Sequence, residues 1–213
     1  METRRSTTVF QILLVGSSCY MGACGETNSP PAAAKDPCDN PDAAISCCFT
    51  NAPASLTSVL TMGNRHTPGE PLRIFGTLLR ADGKTPYAGV LLYAYQTGHT
   101  GHYTRKGNET GVQKWHGQLH GWARSDRLGR YEIRSVRPAP YPSRTMPAHI
   151  HAAIQEPGGQ APYYISDFVF ADDPLITAQY LTALPEVGGS GVVMVRRTKA
   201  GSWVGQRDII LKN

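Results

Sequence analysis

From Leu72 to Leu211 the chain is a succession of short apolar runs, each cut off by glycine, proline or aspartate before a helix could develop. Leu72–Leu79 (LRIFGTLL) leads into the turn Ala81-Asp82-Gly83-Lys84, and Gly89–Tyr95 (GVLLYAY) leads into a glycine-rich loop. Gly121–Asp126 (GWARSD) is followed by a Leu128-Gly129 turn, after which Arg130–Val136 (RYEIRSV) alternates as a half-buried strand does. His149–Ile154, Tyr163–Phe170 (YYISDFVF), Val192–Val195, Gly201–Val204 and Asp208–Leu211 complete the series. Aromatic and β-branched residues suit a pleated surface. With 22 Gly and 16 Pro in 213 residues there is little room for long helices. One short helix is expected over Thr177–Leu184, after Asp173-Pro174. The pattern predicts an all-β chain, a β-sandwich with long loops at Gln96–His120 and Arg137–Pro147.

The chain is 40% hydrophobic and 17% charged, which points to a folded body rather than a disordered one. No apolar run approaches the roughly 20 residues that a membrane-spanning helix needs. The net charge is +5, and the positive excess falls after residue 60. Its Lys and Arg residues are scattered among strands rather than gathered in a run, which argues against a nucleic-acid partner.

The first residues have the order of a secretory signal: basic Met1–Arg5, apolar Val9–Val15, then small residues. Met21-Gly22-Ala23-Cys24 resembles a bacterial lipoprotein cleavage box. The expectation is a signal segment over 1–24, export to the periplasm, cell surface or medium, and membrane attachment through a lipidated Cys24. Residues 25–67 read as a tether and irregular arm, and 68–213 as the folded domain. In an oxidising compartment Cys38 pairs with Cys47 or Cys48. The C-x8-CC spacing matches no standard zinc site.

Six of the seven histidines lie between 99 and 151. In His149-Ile150-His151 the two imidazoles share one face of a strand, which is how a sheet offers two nitrogen ligands to one metal. Taken alone the H-x-H motif is weak, because most such pairs are surface or structural histidines. Two tyrosines on the long loops strengthen it: Tyr141, on the Pro-rich loop Arg137–Pro142 (RPAPYP), and Tyr103, at the end of Gln96–Tyr103 (QTGHTGHY). Phenolate oxygens are hard anionic donors and favour a hard ion such as Fe(III). A phenol loses its proton only near pH about 10, so a bound metal must supply that free energy.

Read in order, LRIFGTLLRADGKTPYAGVLLYAYQTGHTGHY, GWARSDRLGRYEIRSVRPAPYP, MPAHIH and YYISDFVFADDPL resemble the intradiol ring-cleavage dioxygenases, the family of protocatechuate and catechol dioxygenases. The likeness runs over about residues 72–175. It implies a transthyretin-like β-sandwich and a mononuclear non-haem Fe(III) centre with one position open to water or hydroxide. Position by position, it implies Tyr103 and Tyr141 as the two tyrosinates and His149 and His151 as the two histidines. It further implies that Tyr141 leaves the iron when a catechol arrives and helps take up a substrate proton. The implied reaction inserts O2 into a catechol-type aromatic diol and gives a muconate-type dicarboxylic acid.

The chain also departs from that family. Met146 stands directly before P-A-H-I-H where the family usually has Arg, and Ser166-Asp167 stand where it has T-Q. Tyr95-Gln96-Thr97 replace W-Q-A. Arg144, on the Tyr141 loop, is the candidate replacement guanidinium and so a candidate catalytic residue, with Arg105 as the other choice. Two further readings fit some of these residues: a non-catalytic transthyretin-like sandwich binding a small ligand or partner at the cell surface, and an H-x-H zinc or ferrous site in an unrelated β-fold.

Overall fold

The computed structural model of the chain describes residues 34–212. The expected signal segment, Cys24 and the start of the tether lie outside the described residues. Strand β2, Pro71–Leu79, buries Leu72, Ile74 and Leu78 at alternate positions. Its antiparallel neighbour β5, Arg130–Val136, buries Tyr131, Ile133 and Val136, and Ile74 lies opposite Ile133. The period-2 alternation puts Leu72, Ile74, Leu78, Tyr131 and Ile133 on one face, while Val136, out of phase at the end of β5, is buried as well. β1 (Val59–Thr61) runs parallel to β5, β11 (Trp203–Gln206) and β12 (Ile209–Ile210) run parallel to β2, and β10 (Val195–Arg197) pairs with β11. The order is β1-β5-β2-β11-β10, with β12 also on β2.

The second sheet has the order β4-β3-β6-β8-β9. These are His120–Arg124, Leu91–Gln96, His149–Gln155, Phe168–Phe170 and Val192–Val193, with β7 (Tyr163–Tyr164) added to β6. Leu92 and Ala94 of β3, Ile150, Ala152 and Ile154 of β6, and Phe168 and Phe170 of β8 join the β2 and β5 side chains in the core. The other face of this sheet is covered too. Tyr93 and Ala153 pack against Cys48, Phe49 and Val112. Burial on both faces explains why GVLLYAY is apolar throughout rather than alternating.

The stretch read as an irregular arm supplies this cover. From Lys35 onward the chain belongs to one compact unit with the body. One-turn helix α1 (Cys47–Thr50) lies over β3, with the Trp122 indole donating to the Cys48 carbonyl at 2.8 Å. Cys38 is bonded to Cys47, while Cys48 is a buried free thiol whose ionisation burial opposes. The side chain of Asn51 donates to Thr110 and to Gln113, the first residue of a second one-turn helix, α2 (Gln113–His116). Neither helix was expected, because four residues carry no readable helical period.

The helix read at Thr177–Leu184 forms as α3, Ala178–Ala183, with the Thr177 hydroxyl accepting from the Tyr180 amide at 3.1 Å. The strand expected over Tyr163–Phe170 is split into β7 and β8. Between them Ser166 leaves the ladder: its amide donates to Val187 O and its carbonyl accepts from Arg207. The run Val192–Val195 is also split. Met194, 76% exposed, is where the chain passes from the second sheet into the first.

Two measurements test this packing. Ile133 is fully buried at the sheet interface, so Ile133→Ala should lower the free energy of unfolding by about 2–5 kcal/mol in urea titrations. His116 is 6% exposed, its Nδ1 lies 2.7 Å from Tyr93 Oη, and burial lowers its pKa to about 3 from 6.5. The unfolded chain therefore binds the extra proton below pH 6.5 and the native state does not, so stability falls as pH drops from 6.5 towards 3. His116→Gln should make that slope shallower by up to about 1.4 kcal/mol per pH unit in unfolding measured at several pH values. An unchanged slope would exclude His116 as the titrating group.

Candidate metal centre

β6 places His149 and His151 on the outer face of the second sheet, at the end where its neighbour β3 finishes at Gln96. Tyr95 is the cross-strand partner of His151, and their rings are 4.6 Å apart. On its other side Tyr95 stacks on His116 at 3.6 Å, nearly parallel. The His151 ring is thus seated by packing as well as by the strand.

The two tyrosines arrive on loops that are bonded to each other. Thr97 Oγ1 donates to Ala139 O at 2.8 Å, and the Ala139 amide donates to Gly98 O at 3.1 Å. Buried Gln96 ties the end of β3 to the end of β5 by donating to Val136 O at 2.8 Å. Gly101, at φ +77, sits so close to the Pro140 carbonyl that a Cβ there would lie 2.1 Å from its oxygen. A side chain at 101 would therefore wedge apart the loops that carry Tyr103 and Tyr141.

Four polar atoms converge as a result. Tyr103 Oη is 2.8 Å from Tyr141 Oη, and Tyr141 Oη is 3.2 Å from Nε2 of both His149 and His151. The two Nε2 atoms are 3.1 Å apart. The opposite edges of the rings fix the tautomers. His149 Nδ1 donates to Pro147 O at 2.7 Å, and His151 Nδ1 donates to Asp167 Oδ1 at 3.0 Å. Both Nε2 atoms of the neutral rings then present lone pairs. Tyr141 has one proton and can satisfy one of them, which leaves the other without a donor, facing its neighbour at 3.1 Å. A cation bound by all four groups removes that conflict.

The electrostatics agree. Burial, followed by the neighbouring His151, lowers the pKa of His149, so it stays a neutral donor. Burial pushes both phenols above their ordinary range, Tyr103 most strongly, with the bond to Tyr141 adding to it. Without a cation these groups remain phenols, and a highly charged ion would convert them to phenolates. The donor set, two neutral nitrogens and two phenolic oxygens, therefore fits a hard trivalent ion. His149, His151 and Asp167 also lie within 4.8 Å of one another. Asp167, however, faces Nδ1 of His151, on the edge of the ring away from Nε2, so it cannot share an ion with the Nε2 pair.

Arg144 lies in the left-handed region at φ +52, in the turn closed by its amide on Tyr141 O at 2.8 Å. That conformation costs a side-chain-bearing residue about 1–2 kcal/mol. The residue is exposed, and its guanidinium makes no hydrogen bond or ion pair among the described residues. Arg105 instead stacks its guanidinium over Trp115 at 5.0 Å. Asp167 was noted in the sequence only as a departure. Nothing in the sequence signalled its bond to His151, because the partners are sixteen residues apart and meet only through the sheet.

The dioxygenase family model (Dioxygenase_C) matches residues 46–200. No curated protein matches the chain. Among solved structures, the chain is 26% identical to the dioxygenase domain of a dioxygenase–carbohydrate-binding protein fusion from the cellulolytic bacterium Streptomyces sp. SirexAA-E. That match covers 71% of this chain and 86% of the other, with a TM-score of 0.55. Hydroxyquinol 1,2-dioxygenase from Pseudomonas putida DLL-E4 is 24% identical over 71% of this chain and 59% of its own, with a TM-score of 0.51. Catechol 1,2-dioxygenase from Acinetobacter sp. ADP1 is 20% identical over 74% of this chain and 57% of its own, with a TM-score of 0.57. The match thus spans less than two thirds of the length of these last two enzymes, and at that identity they show the fold alone. With the two-sheet body in place and the family model spanning most of it, the chain belongs to the intradiol ring-cleavage dioxygenases.

Proposed function

We propose that the protein cleaves a catechol-type aromatic diol with O2, at Fe(III) held by Tyr103, Tyr141, His149 and His151. The observation that carries this reading is the convergence of the four donor atoms, with both imidazole lone pairs turned inward. Bound there, a ferric ion supplies Lewis acidity and a route for electron density from the chelated diol to O2. Both oxygen atoms of O2 enter the two new carboxyl groups, and the bond between the hydroxyl-bearing carbons breaks.

The chain's own residues divide the remaining work. The sheet fixes His149 and His151 so that their Nε2 atoms do not turn away. Tyr103 is the more deeply buried phenol and serves as the permanent anchor. Tyr141 lies half-buried on the Pro-rich loop, three residues before Arg144, and its Oη is the atom we assign to receive a proton from the incoming diol. The Arg144 guanidinium is free of other partners among the described residues and offers positive charge to the anionic diol or to developing negative charge. We further propose that this chemistry takes place after export. The Cys38–Cys47 disulfide supports that compartment, because such bonds persist where the surroundings are oxidising.

Purified protein loaded with ferric iron should be red-brown from tyrosinate-to-iron charge transfer, and it should consume O2 with catechol, pyrogallol or hydroxyquinol. A colourless protein that holds zinc instead would refute the reading. His149→Ala and His151→Ala should each abolish stoichiometric iron, read by metal analysis, since one ligand of four is lost from an open site. Arg144→Ala should keep iron and colour but lower turnover about 10²–10³-fold in an oxygen-electrode assay, the loss seen when a charge-stabilising donor is removed. Unchanged turnover would assign Arg144 to the solvent.

A further inference from the structure

The two histidines of the centre are not equivalent. His149 Nδ1 donates to a neutral peptide carbonyl, that of Pro147, at 2.7 Å. His151 Nδ1 donates to a carboxylate, Asp167, at 3.0 Å. An anionic acceptor pulls the Nδ1 proton harder than an amide carbonyl does, so more electron density reaches the far nitrogen. The pair is well placed for this. The His151 and Asp167 side chains are 20% and 24% exposed, so water screens the interaction only in part.

The backbone that carries Asp167 is held from several sides. The Ser166 amide donates to Val187 O at 2.8 Å, and the Ser166 hydroxyl donates to the Pro185 carbonyl. Arg207, 4% exposed, donates through Nη1 to Ser166 O at 2.8 Å. Its guanidinium lies over the Phe168 ring at 4.4 Å, and its Nε and Nη2 have no partner among the described residues. A buried positive charge therefore sits against the peptide that leads into Asp167. Gly191 closes the other side, where an added Cβ would come 2.0 Å from the Asp167 carbonyl oxygen. This is the segment that leaves the ladder between β7 and β8, and the departure is what turns Asp167 towards His151.

We propose that Asp167 is a positioning residue for the metal centre: it locks His151 in the tautomer with Nε2 free, and its charge makes that nitrogen the stronger of the two imidazole donors. The inference rests on the ferric reading above and adds to it an asymmetry between the histidines. A more strongly donating His151 binds Fe(III) more tightly and makes the bound ion harder to reduce.

The test uses the full chain, wild type, Asp167→Asn and Asp167→Ala, each loaded with ferric iron and titrated with nitrilotriacetate as competing chelator. Asp167→Ala should weaken ferric binding about 10–100-fold. Asp167→Asn keeps an oxygen acceptor but not the charge, and should lose less. In both variants the visible charge-transfer band should move to longer wavelength and the Fe(III)/Fe(II) potential should rise, because a poorer His151 donor leaves an ion that is easier to reduce. Wild-type affinity, band position and potential in both variants would overturn the proposal. So would a lowered melting temperature with affinity and band unchanged, which would mark Asp167 as a purely structural residue. If Asp167→Ala does not fold, the near-isosteric Asp167→Asn decides alone. Wild-type protein that takes up no ferric iron would instead overturn the metal reading itself, an outcome distinct from normal loading of wild type and variants alike.

Discussion

The antiparallel pairing of β3 with β6 is the constraint on which the site depends. It sets Tyr95 against His151, puts both imidazoles on the outer face of the second sheet, and sends Ile150, Ala152 and Ile154 into the core. A slip of one residue would exchange the two faces, sending the histidines into the sandwich core and the isoleucines to the face that carries the site. The fully buried side chains of the sandwich therefore hold the register, and the register holds the donor geometry.

The sheet supplies only half of the centre. The phenols come from two loops, and loops of this length need bonds of their own to hold a shape. Those bonds are Thr97 to Ala139, Ala139 to Gly98, and the close passage of Gly101 over Pro140. They join the Tyr103 loop to the Tyr141 loop before any ion is present. The arm adds a second support. Its α1 lies over Tyr93, which contacts His116, which stacks on Tyr95, which packs against His151. A continuous packed path thus runs from the segment stapled by Cys38–Cys47 to a proposed metal ligand.

The preorganised site carries an electrostatic conflict. Two phenols and two imidazole nitrogens share a space in which burial opposes the charge on Tyr103, Tyr141 and His149. Such a cluster is unfavourable for a chain that needed only to fold, and a multivalent cation would resolve it. Asp167 and buried Arg207 extend the same logic outward: the carboxylate acts on one histidine, and the guanidinium braces the peptide before it.

Strand positions, the all-β class and the short helix after Asp173-Pro174 were legible in the sequence, because side-chain periodicity and turn residues are local properties. So were Tyr103, Tyr141, His149 and His151 as a set, since their motifs stand in a recognisable order. The fold of the arm was not legible. Cys48 and Phe49 find their place only against β3, and the choice of Cys47 over Cys48 as the partner of Cys38 depends on which side of a one-turn helix faces the sheet. The breaks at Ser166 and Met194 were hidden for a similar reason: the apolar runs are continuous, and only bonds to Arg207 and Val187 or a change of sheet interrupt them. The sequence by itself determined which residues are the candidates for the chemistry. The tertiary structure alone decided their distances, the tautomer of each histidine and the carboxylate behind His151, because those depend on atoms brought together from distant parts of the chain.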